Sequence, residues 1–306
     1  MNEQIKIKEI IDLWKREKLK YVKQSTYSTY VVLIDKHIEP FFGAKTEILE
    51  KDVQEFVFKK LNDNLSQKSI KDMIMILRMI IKYGVKYKMI PYQEIDVNFP
   101  TEREKKELEV LSISDQKKII NYVKTNLTFK NLGIYICLCT GLRIGEICAL
   151  TWNDIDVEQG TLIVGKTIQR TYNYEKNCTE IIVDAPKTIN SYREIPLTSD
   201  LVKVLKPLKR VMNGDYYIIS NDLRPIEPRT YRNYYKKFLE NLNIPFIKFH
   251  GLRHSFATRC IEGNCDYKTV SVILGHSNIT TTMNLYVHPN MEQKKKVILK
   301  MAKLLK

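Results

Sequence analysis

Between Tyr27 and Phe42 the apolar side chains fall at Tyr27, Tyr30, Val31, Ile34, Ile38, Phe41 and Phe42. That alternation of threes and fours gathers on one side of a helix and nowhere else. The same rhythm returns at Ile70, Met73, Ile74, Leu77, Ile80 and Ile81. Stripes of this kind need partners, so residues 1–88 are expected to fold as packed helices. Ser25 and Thr26 suit the start of the 27–42 helix and Gly43 its end. Further helices are expected over 50–62 and about 66–87, and the N-terminal MNEQIKIKEIIDLWKREK reads as the start of another. The solvent side of 66–87 carries Lys68, Lys71, Arg78, Lys82, Lys86 and Lys88. A basic face like this suits a DNA-gripping module and equally a packing domain.

The rhythm is lost over 96–109, DVNFPTEREKKELE, where Pro100 interrupts and charges cluster. This sets a helical first domain at 1–100, a linker at 101–110 and a second domain at 111–306, in keeping with a 306-residue chain. Helix resumes at the capping sequence Ser112–Asp115 and runs to about Lys124. NLGIYICLCTGLRIGEICAL (131–150) reads as helix, glycine turn and second helix start. Three β-branched stretches follow, 161–172, 179–185 and 192–197, and predict one three-stranded antiparallel sheet. Helices are expected again at 199–212, 228–242, 250–263, 266–274, 278–286 and about 291–305. The fold class is mainly α with a small antiparallel β-sheet, the second domain being α+β.

The net charge is +15, and it is unevenly placed. Residues 1–100 carry 18 basic and 14 acidic side chains, residues 101–200 carry 13 and 14, and the last 106 carry 19 and 7. A concentrated positive field is what a polyanion binder shows. A membrane is the weaker partner, since no stretch approaches the roughly 20 apolar residues of a spanning helix, and the N-terminus lacks a signal-peptide core. The six cysteines fit no zinc pattern, and Cys137, Cys139 and Cys148 lie in apolar helical sequence. The expectation is a cytoplasmic, reduced protein with no metal and no cofactor.

Four segments of the second domain hold candidate chemistry. In TGLRIGE (140–146), Arg143 follows a glycine turn and can reach an anion, with Glu146 one turn on to hold its guanidinium. Lys187 sits in the turn APKTINS between predicted strands, where a single lysine is ordinarily just solvated. In HGLRH (250–254), His250 and Arg253 are three apart and share a helix face. They pair a proton-transfer group with a guanidinium fork for non-bridging phosphate oxygens. His254 and Ser255 are expected to point elsewhere, as packing or capping groups. In LGHSNITTTMNLY (274–286), His276 opens a helix after glycine and Tyr286 follows ten residues later. One tyrosine among 18 proves nothing alone.

Taken in order, TGLRIGEICALTW, PKT with REIPL, HGLRHSFAT and LGHSNITTTMNLY resemble the tyrosine recombinase family, over about two-thirds of the chain from Leu111 onward. The resemblance implies that Arg143 and Arg253 clamp a scissile phosphate, and that Tyr286 is the nucleophile, leaving a 3′-phosphotyrosine and a free 5′-hydroxyl. It further implies that Lys187 protonates the departing oxygen, that His250 exchanges the tyrosine proton, that His276 donates to the phosphate and that Glu146 is supporting. Arginines would supply the charge that a metal supplies elsewhere, and the phosphotyrosine would conserve bond energy, so neither metal nor ATP is required. The first domain is similar in arrangement to the family's core-binding (SAM-like) domain, the two domains forming a clamp around double-stranded DNA.

The terminal segment MEQKKKVILKMAKLLK places Val297, Ile298, Met301, Leu304 and Leu305 on one side. In the family such a helix, here about 291–306, docks on a neighbouring protomer, within a homotetramer on two DNA sites. An accessory DNA-bending or directionality factor is a further implied partner. The integrase of a mobile genetic element is the favoured function. A chromosome-dimer-resolving recombinase and a non-catalytic DNA binder on the same fold are the alternatives.

Overall fold

The computed structural model describes residues 5–101, 109–173, 176, 178–184, 192–284 and, near the C-terminus, 295, 298, 299, 301 and 302. Contacts divide the chain into two compact units, Met1–Lys105 with Arg170–Glu180, and Lys106–Gln169 with Ile181–Lys306.

The helices of the first unit pack their stripes together. α1 (Ile7–Lys18) buries Ile7, Ile10, Ile11 and Trp14. The helix expected over 27–42 is three successive pieces: α2 (Gln24–Leu33), a π-helical turn (Ile34–Ile38) and α3 (Glu39–Phe42). It starts at Gln24, ahead of the expected Ser25–Thr26 cap. The Glu39 N–H donates to Ile34 O, five residues back, and Pro40 next to it has no N–H to continue the regular ladder. The π turn keeps Ile34, Ile38 and Phe42 buried together. α4 (Glu50–Asn62) adds Val53, Phe56 and Val57. α5 (Gln67–Lys86) starts where Ser66 Oγ accepts from the Ser69 N–H, and buries the expected stripe from Ile70 to Ile81.

The second unit forms around a helix with no polar face. α6 (Ile113–Thr125) is capped by Ser112 as its sequence predicts. α7 (Phe129–Thr140) buries every residue from Asn131 to Leu138. It ends at Gly141, whose φ of 67° lies in the left-handed region, and α8 (Ile144–Ala149) begins directly after Arg143. Cys137 and Cys148 are buried here as small hydrophobes, and burial pushes the Cys148 thiol up to about 12.

The strands correct the sequence reading. β1 (Ile155–Asp156), β2 (Thr161–Val164) and β5 (Arg193–Pro196) form the three-stranded antiparallel sheet, in the order β1-β2-β5. β3 (Thr167–Asn173) and β4 (Cys178–Asp184) form a separate two-stranded sheet. No residue of β4 is buried, so it has no core face with which to join the central sheet. In β5 the period of two turns Arg193 and Ile195 inward and Glu194 and Pro196 outward. Ile195 faces Leu162 across the ladder, and Arg193 faces Val164.

Further helices among the described residues include α9 (Ser199–Lys209), α10 (Pro228–Asn241), α11 (His250–Glu262), α12 (Tyr267–Leu274) and α13 (Ile279–Asn284). Buried residues of α9, α10 and the start of α11 join the strands and α7 in one core that includes Trp152, Leu162, Leu201, Tyr231 and Leu252, while Ala257 of α11 and Val270 and Leu274 of α12 form a smaller cluster of their own. The fold is thus mostly helical with small antiparallel sheets. Of the terminal stripe, Ile298 and Met301 are exposed, while Val297, Leu304 and Leu305 lie outside the described residues. Among the described residues no helix is long and apolar enough to cross a membrane.

Candidate active site

The left-handed turn at Gly141 makes the site possible. A Cβ there would lie 2.7 Å from Leu274 Cδ2 and 2.7 Å from Phe256 Cδ1, so α7 ends in direct contact with α11 and α12. Two residues later Arg143 leaves the turn. Its Nη1 donates to Glu146 Oε1 at 2.8 Å, and its Nη2 to Gly275 O at 3.0 Å. The second oxygen of Glu146 accepts from the Arg143 N–H at 2.8 Å. Glu146 therefore holds both ends of Arg143, as the sequence predicts, while 36% of that side chain stays exposed.

Arg253 is 2% exposed. As the fourth residue of α11 it lies under the glycine turn, where Nη1 donates to Gly141 O at 2.9 Å and Nη2 to Leu274 O at 2.6 Å. A third arginine, Arg193, was not singled out by its sequence. From the inner face of β5, its Nε donates to Ile273 O at 2.5 Å, and its two Nη atoms donate to the Glu146 carboxylate at 3.1 and 2.9 Å. Three consecutive carbonyls at the end of α12, those of Ile273, Leu274 and Gly275, thus accept from Arg193, Arg253 and Arg143 in turn. The negative end of a helix is where cations are stabilised.

His276 follows at once, redirected by the left-handed Gly275 (φ 65°). Its Nδ1 lies 2.8 Å from Thr282 Oγ1, a fully buried hydroxyl on α13. Burial, then the charges of Arg253 and Arg143, push the imidazole down to about 4. His250, the first residue of α11, is also pushed down to about 4, by burial, His254, Arg253 and Arg143. Both rings are neutral at pH 7 and stand within the field of the same two arginines. Burial alone would raise the Glu146 carboxyl, but hydrogen bonding and charge from Arg193, with charge from Arg143, hold it below the usual range.

Arg143, Glu146, His250, Arg253 and His276 are therefore brought together. Lys187 and Tyr286 lie outside the described residues. Ser255 is a packing residue as expected, accepting from the Leu111 N–H and donating to Gly251 O. His254 does not point away: its ring meets that of His250 edge-to-face at 4.6 Å, because α11 turns two residues four apart to one side. Thr282 carried no sequence signal. Arg193 did carry one, a charged residue in phase with Ile195 on a strand whose other face is polar. Among the described residues no cluster of His, Cys, Asp and Glu could hold a metal ion.

Residues 109–293 match the model of the phage integrase family, and residues 6–61 that of the phage integrase N-terminal SAM-like domain. The chain belongs to the phage integrase family. It is a tyrosine recombinase, a DNA strand-transfer enzyme of phosphotyrosine chemistry. A XerC-like tyrosine recombinase of Caldanaerobacter subterraneus subsp. tengcongensis is 31% identical over 280 residues, 83% of this chain and 71% of the relative. The ICEBs1 integrase of Bacillus subtilis is 26% identical over 297 residues, 89% of this chain and 76% of its own. In fold, the recombinase is similar to the Tn1549 transposon integrase solved with transposon right-end DNA. The TM-score is 0.79 at 20% identity, covering 97% of this chain and all of that one.

Proposed function

We propose that this recombinase is the integrase of a mobile genetic element, cutting and rejoining duplex DNA through Tyr286. The observation that carries the reading is the convergence of Arg143 and Arg253 on the end of α12, beside two neutral imidazoles. The relatives support the choice of element: they include the ICEBs1 integrase, a Tn916 transposase of Enterococcus faecalis and the integrase of staphylococcal phage L54a.

In this reading the Tyr286 oxygen attacks the scissile phosphorus and its proton passes to His250. The bond from phosphorus to the 5′-oxygen breaks, and that oxygen takes a proton from Lys187. Negative charge grows on the non-bridging oxygens, where a fixed positive fork stabilises it most. Arg143, the accessible guanidinium, is the first to meet the phosphate, with Arg253 behind it. With Thr282 donating to Nδ1, His276 carries its proton on Nε2 and donates from there. The incoming phosphate also raises the basicity of His250, so its low pKa belongs to the empty site.

The helical region 1–100 and the domain 111–306 grip duplex DNA together, and the 291–306 segment docks on a neighbouring protomer of a tetramer holding two sites. A DNA-bending or directionality factor sets which way recombination runs. The λ integrase, TM-score 0.67 at 17% identity, was solved as a tetramer on a Holliday junction. The test is a plasmid carrying the two element ends, incubated with the protein and host extract. Excised circles with joined ends are expected. Covalent protein–DNA adducts without any joined product would move the assignment to a chromosome-dimer-resolving recombinase.

A further inference from the structure

Glu146 creates a difficulty that Arg193 resolves. A carboxylate 2.8 Å from the Arg143 guanidinium orients it but also cancels its charge. A phosphate clamp needs the orientation without the cancellation. Arg193 engages both oxygens of the same carboxylate and is itself buried. Its third bond, from Nε to Ile273 O, ties the pair to the helix end that also holds Arg253 and Arg143.

From this geometry we propose that Arg193 is a positioning residue: it is the counter-charge of Glu146, and it keeps the charge of Arg143 available to a bound phosphate. Three guanidinium groups against one carboxylate, with both imidazoles neutral, leave a net charge of +2 in the described cluster. A phosphodiester enters with one negative charge, and its pentacoordinate transition state carries two. Without Arg193 the cluster falls to +1, Glu146 answers Arg143 alone, and the transition state loses more than the ground state does. Differential loss of that kind appears in the rate of the chemical step and only weakly in DNA affinity.

The proposal rests on the recombinase reading for its consequence in cleavage, but its electrostatic content can be measured without activity. Among the described residues the groups that act on His276 are Arg253, Arg143, His250 and Arg193, and those on His250 are His254, Arg253, Arg143 and Glu146. Thr282 on α13 contributes a hydroxyl and no charge. Removing the Arg193 cation must raise His276, and removing the Glu146 carboxylate must lower His250 further.

The experiment therefore combines NMR titration of the histidine rings in the DNA-free protein with single-turnover cleavage of a nicked suicide duplex. The variants are Arg193→Gln, Arg193→Lys, Glu146→Gln and the double change Arg193→Gln with Glu146→Gln. In Arg193→Gln the His276 ring titrates at higher pH than in wild type and cleavage slows about tenfold to a hundredfold, the loss that removing an outer hydrogen-bond partner brings at metal sites, with DNA binding within about threefold. Arg193→Lys keeps the charge, so its titrations stay at the wild-type positions. Glu146→Gln shifts the His250 titration the other way; if Arg193→Gln alone fails to fold, the double variant, which leaves no buried carboxylate unpaired, carries the His276 test. The double variant restores the net charge and cleaves faster than Arg193→Gln. A His276 titration unchanged in Arg193→Gln and in the double variant, or moved equally by Arg193→Lys, overturns the role of Arg193. A wild-type protein that shows these titrations but never forms an adduct overturns the recombinase reading instead.

Discussion

Replacing Gly141 by alanine should damage stability and cleavage together. The backbone at this position has φ 67°, which costs an L-residue with a Cβ about 1–2 kcal/mol. The new methyl would also lie 2.7 Å from side-chain carbons of both Leu274 and Phe256. Leu274 is fully buried and has nowhere to retreat, so overpacking adds about 1–3 kcal/mol. The total is about 2–5 kcal/mol, and at about 2–4 °C per kcal/mol for a domain of this size the Tm should fall by about 4–20 °C. Because Gly141 O holds Arg253 and Arg143 is two residues on, the shift that relieves the contact also displaces both guanidinium groups. Adduct formation on a suicide duplex should slow by up to about a hundredfold at temperatures where the variant is still folded, since a misplacement of about 1 Å can cost that much. Circular dichroism melting and a gel assay for the adduct measure the two effects separately. A Tm within about 2 °C of wild type together with full cleavage would refute the reasoning.

Other consequences follow from the same contacts. Arg143→Ala or Arg253→Ala should abolish cleavage while DNA binding, measured by gel shift, stays within about tenfold; normal cleavage by either variant contradicts the clamp. Thr282→Val should leave the fold intact but remove the partner of His276 Nδ1, slowing single-turnover cleavage about tenfold, as loss of about 1–2 kcal/mol implies; an unchanged rate would show that the 2.8 Å contact does not orient the ring. Stability should also depend on acid. His250 and His276 are held down at about 4 in the folded protein against 6.5 in the open chain. Between those values the unfolded state binds more protons, so stability is fully present above about pH 6.5 and is lost as pH falls towards 4. Urea midpoints at pH 7.5 and pH 5 test this, and a midpoint that holds or rises on acidification contradicts it.

Much of the site could be read from the sequence because its positions are set by local geometry. The Ser112 cap, the glycine turn before Arg143, the three-residue step from His250 to Arg253 and the Glu146 support each depend on neighbours within about a turn of helix. The α5 stripe was legible for the same reason. What could not be read depends on distant pairing. β3 and β4 leave the central sheet because β4 has no buried face, and the burial of a strand is settled by what covers it. The π turn at Ile34–Ile38 keeps the 27–42 stripe buried while changing the hydrogen bonds beneath it, so the apolar pattern alone does not reveal it. Arg193 meets Glu146 across 47 residues and Ile273 across 80. Its alternation with Glu194 and Ile195 placed it on the inner face, but nothing local named its partner.

The central claim, that the chain transfers DNA strands through Tyr286, is tested most directly by a covalent bond. Wild-type protein and Tyr286→Phe are incubated in EDTA with a nicked duplex carrying the element's end, and the products are denatured and resolved on a gel. A denaturation-resistant protein–DNA adduct is expected in wild type alone, with the linkage mapped to Tyr286 by mass spectrometry. An adduct of equal yield in Tyr286→Phe, or none in wild type on DNA that it binds, would contradict it.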